Sequence, residues 1–187
     1  TDELEARLQR RASASVPVDE QAGVEAYVEI LKSHDVDKLR WHLGRARERL
    51  GLARFVTEVV APLNTRIGDG WMRGELQVFE EHLYTEQLQV AMRTAINAFP
   101  RQTGIPRVLL TTFPNEQHGI GLLMVEALLV PEGVQCISLG PQTPLEDIRR
   151  AAIAHKVHIL ALSFSGAFPL RQAIDGLATL RRQLPPQ

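Results

Sequence analysis

The spacing of apolar residues changes period near position 100, and that change limits the architectures open to the chain. From Leu4 to Phe99 the spacing is helical: Leu4 and Leu8; Val24, Tyr27, Val28 and Leu31; Leu39, Leu43 and Leu50; Phe55, Val56, Val59 and Val60. Four or so helices fit this half. Ser33, His34, Asp35 and Asp37 punctuate the second and third, while Gly51 and Pro62 mark stops or kinks by lacking a side chain or an amide proton. Gly68, Gly70 and Gly74 form a loose stretch around Trp71. A helix from Glu75 to Phe99 follows, with the apolar stripe Leu76, Phe79, Leu83, Leu88, Met92 and Ile96. A helical bundle is expected.

After Pro100 the pattern alternates. Val108 to Phe113, Val134 to Leu139 and His158 to Phe164 are runs too brief for buried helices, whereas Leu122 to Leu129, Pro144 to His155 and Leu170 to Leu184 have helical spacing. Continuous apolar strands joined by helices mean a parallel sheet covered on both faces. The fold class expected is therefore all-α plus α/β. A four-helix-bundle cap spans 1–100, and a Rossmann-like domain spans 101–187, with Gly104 and Pro106 in the turn between them. Arg11 to Pro17 is polar and small enough for a flexible segment, and no internal repeat or low-complexity tract is present.

Composition narrows the function. A net charge of -1 over 187 residues and a pI near 6.6 oppose binding nucleic acid by charge alone, because neutralising phosphates needs clustered Lys and Arg. Cys136 is the single cysteine, so no internal disulfide forms, and its apolar setting predicts a buried, inert thiol. No apolar run reaches the length of a membrane span and no secretion signal is visible, which predicts a soluble cytoplasmic protein. The chain carries no phosphate-cradling Gly-x-x-x-x-Gly-Lys, nucleophile elbow or Gly-x-Gly-x-x-Gly. His34, His42, His155 and His158 lack metal-ligand spacing and are expected to be structural or surface residues.

Two constellations remain. Glu116-Gln117-His118-Gly119-Ile120-Gly121 follows the first strand run and precedes a helix, placing an imidazole at the carboxyl end of a parallel strand, where open α/β sheets bind ligands. Glu116 can hold one ring nitrogen and leave the other as an axial metal donor, and Gly121 leaves room for a close approach to the backbone. In the helical half, Trp71 can cover a large planar ligand, and Glu81-His82 follows after nine residues. Alone, a Trp in a bundle is far more often core, and a Glu-His pair on a helix is more often a solvated face.

Taken together, Trp71, its spacer, Glu81-His82 and Glu116-x-His118-x-x-Gly121 resemble the cobalamin-binding sensor domains of MerR-type transcriptional regulators, the CarH-like group. The resemblance covers nearly the whole chain. It implies cobalamin as cofactor, carrying adenosyl or methyl above the cobalt, with the bundle over the upper face of the corrin. It further implies that His118 ligates cobalt from below, that Gly121 opens the helix where the displaced nucleotide tail descends, and that Ser163 lines the tail pocket. The lower hexapeptide is shared with methionine synthase and the cobalamin mutases, so the Trp-to-Glu-His spacing is what points to the sensor branch. Leu139-Gly140-Pro141-Gln142-Thr143-Pro144 also resembles the loop after the second strand in this family.

Two departures qualify the resemblance. Light-sensing members carry a histidine after the Trp, where this chain has Met72, and a thioether cannot give the same bis-imidazole product. Light-independent sensing of the cofactor, or a different photochemistry, stays open. Family members also continue through two more strands and a paired-glycine motif, which implies truncation after Gln187. No basic helix-turn-helix precedes residue 20, so DNA contact is expected only through a domain or partner outside this chain. The expected function is a non-enzymatic sensory module that self-associates in response to cobalamin or light and acts on transcription, with no membrane partner. A corrinoid carrier for methyl transfer is the alternative, and an interaction domain that has lost cobalamin is a third.

Overall fold

The computed structural model describes residues 20–100 and 103–184. The expectations at Leu4, Leu8 and Arg11 to Pro17 lie outside these residues. Helix α1 (Glu20–Lys32) is followed by α2 (Val36–Leu50), whose first turn is capped by the Asp35 carboxylate accepting from Lys38 N at 2.9 Å. Gly51 ends α2 at φ 74, a conformation open to glycine. A short helix, α3 (Leu52–Arg54), runs without a break through a π-helical turn (Phe55–Val60) into α4 (Ala61–Met72). Pro62 therefore does not stop the helix. The preceding turn is widened, with Ala61 N bonded back to Val56 O, and that geometry accommodates a residue lacking an amide proton.

The loose glycine stretch expected around Trp71 is not observed, because Gly68, Gly70 and Trp71 all lie within α4. Gly70 is needed there for packing. A Cβ on it would sit 3.2 Å from Leu76 Cδ1, so the missing side chain lets buried Leu76 fold back onto α4. The turn is confined to residues 73–77, with Gly74 at φ 71, and α5 (Val78–Asn97) begins three residues later than the spacing predicts. At its start the Gln77 and Glu80 side chains bond each other's backbone in a capping box.

Strand β1 (Arg107–Thr111) leads to α6 (Ile120–Leu129) and a 3₁₀ turn (Val130–Glu132). Then come β2 (Gln135–Gly140), α7 (Leu145–Ala154), β3 (Ile159–Leu162) and α8 (Leu170–Gln183). The three strands form one parallel sheet in the order β2-β1-β3, with Val108 opposite Cys136 on one side and Ile159 on the other. Side chains alternate across β1 as the pleat requires. Val108 and Leu110 pack with Leu122 of α6, while Leu109 and Phe113 pack with Ile148 and Ala152 of α7 and Leu180 of α8. Both faces of the sheet are covered, as continuous apolar strands predict.

The bundle core does not stop at position 100. Leu123 and Ala127 of α6 and Val130 join Leu63, Leu88, Met92 and Ile96 in one buried cluster, and Cys136 of β2 packs against it. Helix α6 thus serves both layers, with Leu122 turned to the sheet and Leu123 to the bundle. Arg93 of α5 reinforces the junction by donating to Glu126 Oε2 at 2.6 Å and to Ser138 Oγ at 3.3 Å. Among the described residues no helix is long and apolar enough to cross a membrane.

Candidate functional site

The carboxyl ends of the strands are tied together by two consecutive threonines. The buried Thr111 hydroxyl reaches Gly140 O at 2.7 Å and Thr143 Oγ1 at 2.8 Å, holding the loop after β2. Thr112 Oγ1 donates to Glu116 O at 2.6 Å and accepts from Gln142 N at 2.7 Å, joining that loop to the one after β1. Each hydroxyl is buried and satisfied, which makes the loops a fixed platform.

On this platform Glu116 is 1% exposed and its carboxylate accepts four hydrogen bonds. Oε1 takes His118 N at 3.0 Å and His118 Nδ1 at 2.6 Å. Oε2 takes Ser165 N at 2.7 Å and Ser165 Oγ at 2.8 Å. Burial alone would raise the carboxyl pKa, but the amide and side-chain donors of His118 and Ser165 outweigh it and hold Glu116 below the ordinary carboxylate range. An ionised Glu116 requires a proton on Nδ1 of His118. In the neutral ring, Nε2 then carries the lone pair, on a side chain that is 67% exposed.

Gly121 and Ser163 are brought into direct contact: a Cβ at 121 would collide with the Ser163 hydroxyl. Backbone of α6 and the end of β3 therefore touch where the family resemblance implies a tail passage. Gly119 in turn lies near the Pro141 ring, 3.9 Å from where its Cβ would be.

The helical constellation sits apart, and no hydrogen bond or ion pair joins it to Glu116 or His118 among the described residues. Trp71 is 51% and Met72 71% exposed at the end of α4, and Val78 and Phe79 are exposed at the start of α5. Glu81 Oε1 accepts from Thr85 Oγ1 at 2.8 Å, and its other oxygen lies 3.8 Å from His82 Nε2. Contacts join α4, α5 and α6. Tyr84 Oη donates to Asn64 Oδ1 at 2.6 Å, and Asn64 Nδ2 is 3.6 Å from Met124 Sδ, while Arg93 pairs with Glu126.

Ser165 and Thr112 are the members of this network that sequence reasoning missed. Ser165 stands two residues beyond Ser163 in the run Leu162-Ser163-Phe164-Ser165-Gly166, and no local pattern separates the two. Two consecutive hydroxyls closing the apolar run Val108-Leu109-Leu110 were the available signal for Thr112.

A helical bundle sharing one helix with a parallel three-stranded sheet, whose carboxyl edge presents a carboxylate-braced imidazole, defines a ligand-binding module of two layers. Residues 24–96, the bundle with Trp71, Glu81 and His82, match the B12 binding domain family, and the match ends before Glu116. The chain is 33% identical over 131 residues to the HTH-type transcriptional repressor CarH of Myxococcus xanthus, covering 68% of this chain and 42% of that protein. The chain thus spans well under half the length of that relative. Its fold resembles that of the monomethylamine corrinoid protein of Methanosarcina barkeri, with a TM-score of 0.68 at 16% identity over 88% of this chain and 80% of that one. The chain carries a CarH-like cobalamin-binding domain.

Proposed function

We propose that this module is a non-enzymatic cobalamin sensor in which residues 101–187 hold the lower face of the corrin and residues 1–100 cap the upper face. The observation that carries it is the buried Glu116 carboxylate fixing His118 with Nε2 free and exposed. A bare divalent ion needs three or four protein ligands, but a metal already held by a macrocycle needs one axial donor, and His118 offers one. The residues fit the group in a second way. Trp71, Met72, Val78 and Phe79 leave apolar surface open at one end of the bundle, the kind of patch that a large planar ligand covers.

Bound cobalamin supplies a cobalt centre whose upper substituent can be exchanged or released. The protein's own residues do the rest in this account. Glu116 keeps the His118 tautomer, Ser165 and Thr112 keep Glu116 in place, and Gly121 with Ser163 forms the seam where a nucleotide tail would have to part α6 from β3. Because α6 belongs to both layers, a ligand that seats differently against bundle and sheet changes their packing, and a ligand biases only what it binds differentially. We take the output to be self-association, with DNA reached through a domain or partner beyond these residues, in a cytoplasmic setting. Met72 argues against a light switch that uses an imidazole after the Trp. A methyl carrier would need repeated access to the upper face, and the paired Trp71 and Glu81-His82 features favour a cap.

Size-exclusion chromatography of the protein with and without adenosylcobalamin, in darkness and after green light, tests the regulatory role. A change of mass on adding cofactor is expected. One mass in all four conditions contradicts switching by assembly.

A further inference from the structure

The turn between α1 and α2 reaches across the bundle to the beginning of α5, and the contact goes through one histidine. His34 occupies a left-handed backbone conformation, φ 56, which a histidine tolerates better than most residues. Its neighbours fix the turn. Ser33 Oγ donates to Ile30 O at 2.7 Å, His34 N to Leu31 O at 3.0 Å, and Asp35 caps α2. From this rigid base the ring places Nε2 3.0 Å from Glu80 Oε1 and lies 5.1 Å from the Phe79 ring.

Glu80 is buried, and its other oxygen accepts Gln77 N at 2.7 Å in the capping box that starts α5. That box needs nothing from His34, so α5 begins at the same residue without it. What His34 adds is a bond from the first turn of α5 to a separate part of the bundle. Successive helical residues are rotated by about 100°. Fixing Glu80 inward therefore fixes Phe79 and Glu81 on its two flanks and His82 on the outer side. The α4 side of this turn is already tied, by Leu76 against Gly70 and by Arg66 Nη1 2.9 Å from Glu75 Oε2, and the His34 bond adds the tie to the α1–α2 turn.

We propose that His34 is a positioning residue for the upper face: through Glu80 it sets the first turn of α5 against the Trp71 end of α4, and so selects a bulky aromatic upper substituent over a compact one. The inference rests on the cobalamin reading above. Exposed indole and phenyl faces reward a ligand with a planar π-surface of its own, by stacking that a hydroxo or methyl group cannot make. Holding those faces at a fixed separation reduces the ordering cost of binding, and that saving falls to the bulky ligand alone.

The test is spectral titration of wild-type protein, H34N and H34Q with adenosylcobalamin and with hydroxocobalamin, alongside thermal midpoints of the ligand-free proteins. Asn accepts the left-handed backbone but is too short to reach Glu80, whereas the Gln amide can donate to it. We expect H34N to bind adenosylcobalamin about tenfold more weakly, a shift of about 1.4 kcal/mol. Hydroxocobalamin affinity should change less than about twofold, and H34Q should recover most of the loss. If H34N does not fold, E80D, which retracts the carboxylate by one methylene, takes its place in the same comparison. Wild-type preference retained in the variant, or both affinities lost in parallel, overturns the positioning role while leaving the cobalamin reading standing. A wild-type protein that binds neither form overturns both.

Discussion

Replacing Glu116 with Gln keeps the side-chain volume and removes half of its capacity to accept. Four donors converge on the carboxylate: His118 N, His118 Nδ1, Ser165 N and Ser165 Oγ. A carboxamide offers one oxygen and one NH₂. Its best orientation keeps the oxygen toward the two His118 donors and turns the NH₂ toward Ser165, whose hydroxyl can rotate to accept. The Ser165 amide cannot, so one buried N–H is left facing another N–H. An unpaired buried donor costs about 1–3 kcal/mol, and losing the anion weakens the bonds that survive, since charge-assisted bonds are about twice as strong. A total of about 2–4 kcal/mol follows from these two contributions. For a protein of this size it lowers the thermal midpoint of the ligand-free E116Q protein by roughly 4–16 °C. Circular dichroism against temperature measures it. A midpoint within about 1 °C of wild type would refute the four-donor network, because no buried acceptor of this kind is lost so cheaply. In the same variant, cobalamin affinity should fall about 10- to 100-fold as His118 loses its anionic partner.

Gly121→Ala should destabilise the protein by about 1–3 kcal/mol through collision with the Ser163 hydroxyl. Adding Ser163→Ala should recover most of that in a double-mutant cycle, since the Ser163 Cβ would lie 3.5 Å away, in ordinary contact. Additive losses would contradict the contact. The Glu80 carboxyl is held below its ordinary 4.5 by the Gln77 amide and, after the opposing effect of burial, by His34. Its contribution to stability is therefore full above pH 4.5 and is lost as the pH falls through the lower folded-state value. Glu80→Gln should be less stable than wild type at neutral pH, with the gap closing below pH 4.5 in denaturant titrations at a series of pH values. Burial, with Glu126 nearby, pushes the Cys136 thiol up to about 11. Alkylation of the native protein at pH 8 should accordingly run on the order of 100-fold slower than after unfolding, and equal rates would place the thiol in water.

The fold was legible wherever burial imposed a period. Val108, Leu109 and Leu110 read as a continuous strand because both sheet faces are covered, and the helical spacing of Val28, Leu31, Leu39 and Leu43 reflects one shared core. The misreading at Gly68 and Gly70 has the opposite cause. Glycine is scored as a breaker by local propensity, whereas here Gly70 is helical because Leu76 needs the space. At the candidate site, Glu116 and His118 were readable because the bond between them spans two residues. Ser165 lies 49 positions from Glu116 and His34 46 from Glu80, distances over which no local pattern operates and only the folded chain brings the partners together. The seam between Gly121 and Ser163 was legible as two separate residues, and its closure was not.

The proposed function depends on His118 Nε2 acting as the cobalt ligand. Electron paramagnetic resonance of ¹⁵N-labelled protein loaded with unlabelled cob(II)alamin tests it directly, because the nucleus on the axial ligand splits the cobalt lines. Ligation by His118 predicts doublet splitting from ¹⁵N, lost in His118→Ala. Triplet splitting from the cofactor's own ¹⁴N base, unchanged in His118→Ala, would contradict it.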